Sequence, residues 1–362
     1  MGRKRLLQGA PAAASKQATD ATREGETIVR MSVSRRDFLG ISAGAVLADL
    51  LAASRAPAAE VLTSLKVGMS FSNLDAVAAW IAEDKHFFER YGLTVSIINI
   101  QGGAKTVAAM AAGDVPIAFI AAADIINARV KGLPLEMIGG LINRFPYDFV
   151  VAKNITTPSQ LKGAKGAISG FGSSSDFAVR YALTKLGVDP QDVTLLQAGN
   201  ETSRLAALSS GQIQFTVLTA GLDLAAFDLG YKPLVKLYTL DQPYQHTGIA
   251  ANITWAKAHP ALVAGFLKAV VTANVFIKNR LNIAAALALI HPHLPIKEGE
   301  LREGFQLYRD QFYSVYPLVT QPGLEFILRA RKIDQAATDF FDNSYVQALQ
   351  DSNFAATVEK AP

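Results

Sequence analysis

Apolar residues in this chain fall into two alternating registers, short runs that suit strands and longer stretches with a single apolar stripe that suit helices. Between about residues 65 and 123 the order is legible. Leu65-Lys66-Val67-Gly68-Met69-Ser70 reads as a strand that stops at small polar residues. Val77, Trp80, Ile81, Phe87 and Phe88 then recur at helical spacing up to Gly92-Leu93, where glycine suits the left-handed backbone that ends a helix. A second strand, Thr94 to Ile100, runs into Gln101-Gly102-Gly103. An alanine-rich helix follows and ends in Gly113, and Val115 to Ile120 reads as a third strand.

The same order recurs over residues 164 to 220. A strand opens at Ala164-Lys165-Gly166-Ala167-Ile168, and Phe177, Val179, Tyr181, Leu183 and Leu186 take helical spacing up to Gly187-Val188. Val193 to Leu196 and Ile213 to Leu218 are the further strands, with an alanine- and serine-rich helix between them that ends in Gly211. Strand, helix, strand, helix, strand is the rhythm of a parallel sheet with right-handed crossovers, and its repetition predicts two similar α/β domains. Ile142 to Tyr147 and Lys236 to Ile249 have no regular period, so they are expected to be two hinge crossings. That partition assigns residues 60–143 with 245–362 to the first domain and 144–244 to the second. His259-Pro260 can start a long amphipathic helix, with Leu262, Val263, Phe266, Leu267, Val270 and Val271 on its buried side. From about residue 297 further helices are expected to close over the first domain.

The first 59 residues depart from this pattern. Ser34-Arg35-Arg36-Asp37-Phe38-Leu39 precedes a thirteen-residue, mostly apolar stretch, Ile41 to Ala53, and then Arg55-Ala56-Pro57-Ala58-Ala59. Basic region, apolar region and small-residue site, in that order, form an export signal, here of the twin-arginine kind, with cleavage expected near Ala58 or Ala59. A membrane span needs about 20 apolar residues, and this stretch is shorter and contains Asp49. The expected location is therefore the periplasm. Nine of the 35 Lys and Arg lie in this leader against five of the 31 Asp and Glu. The remainder is formally neutral, so the chain's basic character is no argument for nucleic-acid binding. No cysteine is present, which excludes disulfides, thiolate metal sites and cysteine nucleophiles.

Ligands of open α/β sheets bind outside the carboxyl ends of the strands, where helix N-termini and loops converge. The residues after each inferred strand are therefore the candidates. In the first domain they are Ser70, Phe71, Ser72 and Asn73, then Gly102 and Gly103, then Ala122 and Ala123. In the second they are Phe171, Ser173, Ser174 and Ser175, then Asn200, then Thr219. Ser175 and Asp176 are also plausible helix caps. Phe71 and Phe171 could hold a planar or apolar part of a solute between them. Lys105, Arg144, Arg204 and Asp223 are the nearby charges, and a solvated face is the expected place for Lys105 and Arg204, which begin the second helices of their units. None of the five His lies in these loops, and His291-Pro292-His293 reads as a loop rather than a metal site. Neither a nucleophile elbow nor a phosphate loop is found, so no catalytic residue, metal or cofactor is expected.

Taken together, Gly92-Leu93-Thr94-Val95, Gly102-Gly103, Ala109 to Asp114, Lys131-Gly132-Leu133-Pro134, Thr157 to Gly163, Leu186 to Pro190 and Leu208 to Gly211 resemble the solute-binding proteins of ABC transporters. The resemblance is to the nitrate, sulfonate, taurine and thiamin-pyrimidine-precursor group, the NMT1/THI5-like family. It implies a bilobal fold of the periplasmic-binding-protein type II kind that closes on a small organic or oxyanion solute. It also implies delivery to the membrane permease of an ABC importer by a monomeric receptor that is not an enzyme. Two alternatives use the same fold: a sensor signalling to a membrane kinase, and a pyrimidine-forming enzyme, whose cysteine-rich motif is missing here.

Overall fold

The computed structural model describes residues 62–359 apart from Gln101 and Pro295. The expected leader, with Arg35, Arg36 and the cleavage position, lies outside the described residues, as does Gln101. The strand-helix rhythm is present in both halves. The first half contains β1 (Thr63–Met69), α1 (Val77–Asp84), β2 (Leu93–Asn99), α2 (Gly103–Ala112), β3 (Ile117–Ala121), α3 (Ala122–Val130) and β4 (Leu135–Ile142). Next come β5 (Tyr147–Val151), β6 (Lys165–Ile168), α4 (Ser174–Lys185), β7 (Thr194–Gln197), α5 (Glu201–Ser209), β8 (Phe215–Thr219), α6 (Leu222–Asp228) and β9 (Lys232–Lys236). The remainder comprises β10 (Thr247–Asn252), α7 (Ile253–Ala258), α8 (Pro260–Lys278), α9 (Ile283–Ile290), α10 (Glu298–Gln311), α11 (Gln321–Arg331), α12 (Ser344–Asp351) and α13 (Phe354–Glu359).

These strands form two five-stranded sheets, ordered β2-β1-β3-β10-β4 and β7-β6-β8-β5-β9. In each, the three strands of the repeated unit run parallel, β2-β1-β3 in one and β7-β6-β8 in the other. In each, the fourth position is taken by an antiparallel strand that the chain supplies from a crossing. β10 pairs with both β3 and β4, and β5 pairs with both β8 and β9. The first sheet is thus completed by a strand that comes after the whole second sheet.

Packing follows from the apolar stripes. Helix α8 buries Val263, Phe266, Leu267, Val270 and Val271 as its spacing predicts, while Leu262 is only half-buried. The Phe266 ring lies 5.3 Å from Phe88 and 5.7 Å from Phe119, so the helix is seated on the first sheet through aromatic contacts. The helical register expected through Phe88 is interrupted: α1 stops at Asp84 and His86 takes φ +55°. Phe88 reaches the core from a turn instead. Gly92 and Gly187 hold the left-handed backbone foreseen for them, at φ +80° and +72°.

The C-terminal helices do more than cover the first sheet. Leu301, Phe305 and Tyr308 of α10 join the first core, whereas Leu324, Ile327 and Leu328 of α11 belong to a second core shared by residues of both sheets, among them Met137, Ala250, Phe149 and Phe215. Phe326 of α11 makes edge contacts with Phe145, Phe177 and Tyr181. At the centre of this group Phe145 from one crossing stacks on Tyr244 from the other, with ring centroids 3.9 Å apart.

Candidate functional site

The carboxyl ends of the parallel strands in both sheets converge on one region. From the first sheet, the turn after β1 contributes Asn73, whose Oδ1 accepts from the Asp75 amide at 3.1 Å and so caps the short turn leading into α1. Its amide nitrogen donates to Glu201 Oε1 at 3.0 Å, 128 residues away at the start of α5. The other oxygen of Glu201 accepts from both the amide and the hydroxyl of Thr219, each at 2.8 Å. Asn73 and Thr219, both expected at the site, are therefore brought together through Glu201.

A second bridge is formed by Arg331 at the end of α11. Its guanidinium donates to the Ala123 carbonyl at 3.2 Å and to Asn127 Oδ1 at 2.7 Å on the first-sheet side. It also reaches the Gly172 carbonyl at 2.6 Å, in the loop after β6. Ala122 and Ala123 are buried at the start of α3, and the Ala122 amide donates to the His246 carbonyl at 3.0 Å.

The serine loop is self-satisfied in part. Ser173 is the N-cap of α4, accepting from the Asp176 amide at 3.3 Å, so the cap falls earlier than the expected Ser175 or Asp176. The reason is local: Ser169, Ser173 and Ser175 hydroxyls bond one another at 2.8–3.0 Å, and Asp176 turns back to accept from the Gly172 amide. Asn200 caps α5 through the Ser203 amide at 2.9 Å. Ser70 is tied into the sheet by its backbone, accepting from Gly102, and the Ser72 hydroxyl accepts from Asn99 at 2.7 Å on the exposed side. Phe71 packs partly against its own core, and Phe171 is 59% exposed.

Sequence reasoning missed the residues that fill the middle. Among them is His246, whose Nε2 lies 3.0 Å from Asp75 Oδ2, both side chains being almost fully buried. Tyr308 of α10 donates to Asp75 Oδ1 at 2.8 Å, and Tyr313 donates to the Leu74 carbonyl. The Tyr147 ring meets His246 edge-on at 5.1 Å. Burial holds the phenols of Tyr147, Tyr308 and Tyr313 well above their ordinary range and that of Tyr244 up at about 12. Asp124, in the first turn of α3, is pushed up to about 6 by burial, against the pull of Arg331 and His246. Its carboxylate lies against Gly103, where a methyl group would be 1.9 Å from Oδ2. That close approach explains why a glycine opens α2. One polar atom here, His246 Nδ1, makes no hydrogen bond to another described residue.

Most of the missed residues come from the crossings and the C-terminal helices. The signal that could have found His246 is direction. An antiparallel strand such as β10 begins at the edge where its parallel neighbours end, so residues leading into it belong to the same cleft as strand-end loops. Two of the candidate charges are buried, Arg204 against the solvated face expected for it. Arg204 donates to Thr216 Oγ1, the Gly199 carbonyl and the Val217 carbonyl at 2.8–3.1 Å, pinning α5 to β8. Asp223 caps the start of α6 through the Gly221 and Leu224 amides, next to the fully buried Asp148. Lys105 and Arg144 are exposed. His293 stacks on Trp80 and lies 3.2 Å from Asp84. Among the described residues no three His, Asp or Glu side chains are grouped to hold a metal ion.

Two similar sheets that present strand ends and helix starts to one cleft define the periplasmic-binding-protein fold. Solved structures of that fold bear this out. The alkanesulfonate-binding protein SsuA from Xanthomonas axonopodis pv. citri aligns with a TM-score of 0.66 at 15% identity over 78% of this chain and 99% of its own. The periplasmic nitrate-binding protein NrtA from Synechocystis PCC 6803 aligns at 0.65 and 14% identity over 83% and 90%. The family model described as NMT1/THI5 like matches residues 73–280, and the chain belongs to that family. A provisionally named thiamine biosynthesis protein of Haemophilus influenzae is 30% identical over 151 residues, 41% of this chain and 46% of the relative. The curated relatives that it matches are covered over 38–49% of their own lengths.

Proposed function

We propose that this protein is the periplasmic solute receptor of an ABC importer, binding a small molecule between two domains and passing it to a membrane permease without altering it. The domains are residues 60–143 with 245–362 and residues 144–244, hinged at the two crossings. The leader directs export, with cleavage near Ala58 or Ala59. The observation that carries the reading is the convergence of both sheets' strand ends on a single polar cleft, held by Asn73–Glu201–Thr219 on one flank and Arg331 on the other. Between these flanks lie buried hydroxyl, imidazole and carboxyl groups able to orient a solute. The solved neighbours named for binding sulfonates and nitrate add support by fold, and the family adds support by sequence.

The polar contacts between these two groups of residues are the Asn73–Glu201 bond, the Arg331 and Asn127 bonds to Gly172 and the Lys297–Asp228 pair, and ring contacts join Tyr238 to Phe312 and Phe326 to Phe145, Phe177 and Tyr181. A solute that contacts both sides therefore shifts an open–closed equilibrium by its preference for the closed form. The test is small-angle scattering on the purified protein, with solutes first picked by thermal shift, since a ligand that binds only the folded state raises the melting temperature. A radius of gyration that falls on saturation is the expected result. An unchanged radius at saturation counts against closure.

A further inference from the structure

The two proposed domains also touch away from the polar cleft, and a glycine sits at the contact. Gly304 lies in the middle of α10, where glycine weakens a helix relative to alanine and calls for a reason in its surroundings. The reason is a neighbouring backbone. A methyl group at Gly304 would stand 3.2 Å from the Gly221 amide nitrogen and 3.3 Å from the Ala220 carbonyl carbon, both at the start of α6 in the second proposed domain. It would also stand 2.8 Å from Leu74 Cδ1 in the first. The Leu74 methyl is the end of a side chain and can turn aside, whereas the two main-chain atoms shift only if the start of α6 shifts.

Further contacts join the same elements. Ala220 is 6% exposed and belongs to the first core, not to a core of its own sheet. Lys297, seven residues before Gly304 and so on the same face of the helix, pairs with Asp228 at the end of α6 and lies 3.2 Å from Glu300. Phe312, just past α10, meets the Tyr238 ring edge-on at 6.0 Å. Beside Gly304 a cavity of about 320 Å³ stays open, lined by Asp223, Leu224 and Tyr238 on one side and by Leu307 and Asp310 on the other. The two helices are thus in main-chain contact at Gly304 and part beside it.

We propose that this α10–α6 seam lets the domains close transiently without solute, and that Gly304 is its positioning residue. With no side chain at that point, α10 settles on the Ala220–Gly221 main chain and the cleft shuts fully. The proposal rests on the receptor reading and adds to it. A solute then supplies only the part of the closing free energy that the seam does not, so residues at the seam tune affinity without touching what is bound.

The test uses the purified protein without solute and a carbodiimide, which joins a lysine to a carboxylate only while the two are in contact. Lys297 with Asp228 reports the seam. Lys162 with Asp192, 3.3 Å apart within the second proposed domain, is the internal reference, and all four side chains are open to the reagent. Peptide mass spectrometry is expected to find both links in the wild type. In Gly304→Leu the 228–297 link is expected to fall roughly fivefold or more against the 162–192 link, as overpacking a close contact does, and the radius of gyration to rise. Should Gly304→Leu fail to fold, Gly304→Ala decides by the same ratio, since alanine favours the helix while crowding the seam. Gly265→Ala crowds the Tyr91 carbonyl at 3.0 Å inside the first proposed domain and is expected to leave the ratio unchanged. A wild type that lacks the 228–297 link, a folded Gly304 variant with an undiminished ratio, or a Gly265→Ala chain that loses the link equally overturns the proposal. Each of these leaves the receptor reading standing, because that reading is tested by whether a solute changes the wild-type radius.

Discussion

Asp148 and Asp223 place two carboxyl groups side by side in the interior of the second sheet, one on β5 and one at the start of α6. Burial pushes both well above the ordinary carboxylate range, and for Asp223 the neighbouring charge adds to the shift. Lys236, 3.8 Å from Asp148, offsets part of this. Groups that titrate higher in the folded chain than in the unfolded one leave the folded state holding more protons across that window. Their contribution to stability is then full at low pH and lost as pH rises through the raised values. Asp223→Asn keeps an oxygen for the Gly221 and Leu224 amides and removes the repulsion. Its melting temperature is expected to exceed that of the wild type at pH 8, with the gap closing toward pH 5 in thermal melts. A gap that is constant with pH would show that the pair is already neutral. Asp223 was visible in the sequence as a charge near a strand end, but its burial was not, because nothing in a single sequence tells which aspartate a fold will desolvate. Asn73 and Thr219 were visible for the opposite reason: strand ends are fixed by local pattern, and the cleft is built from strand ends.

At the scale of elements, α5 shows how a polar-looking helix is anchored. Leu208 and Arg204 are its buried residues, and Arg204 acts as a core side chain, its guanidinium joining the α5 start to two β8 residues and its stem lying in the packing. Arg204→Ala leaves two main-chain carbonyls and the Thr216 hydroxyl short of a donor. It is expected to cost about 3 kcal/mol or more, given the usual 1.5–3 kcal/mol for a hydrogen bond to a charged group. Urea denaturation measures it, and a loss under about 1 kcal/mol would mean that water replaces the guanidinium. The parallel units were legible in the sequence, since Gly92, Gly113, Gly187 and Gly211 punctuate them at matching places. The antiparallel β5 and β10 were not placed by pattern. Both are buried on both faces nearly throughout, so even Asp148 and Thr247 face inward, and a run whose two faces are both covered carries no record of its neighbours.

For the whole molecule, the stacked rings of Phe145 and Tyr244 join the two crossings. Arg331 reaches across from a C-terminal helix that pattern alone assigned to the first sheet, and this is why the cleft depends on residues far beyond the strand-end loops. The interleaved strand order has a further consequence, in time rather than in space. Every strand of the second sheet lies between Tyr147 and Lys236, but the first sheet needs β10, which ends at Asn252. Until β10 inserts, β3 lacks a partner on one side and β4 has no strand beside it, and their unpaired edges, rich in Ile, Phe and Leu, are sticky. Pulse-labelled hydrogen exchange during refolding is expected to protect the Phe149 and Val217 amides before those of Ile120 and Ile249; simultaneous protection would mean that both sheets form in one step. A ribosome delivering this chain thus finishes its second sheet first, and the earliest strands to emerge wait longest to be sealed.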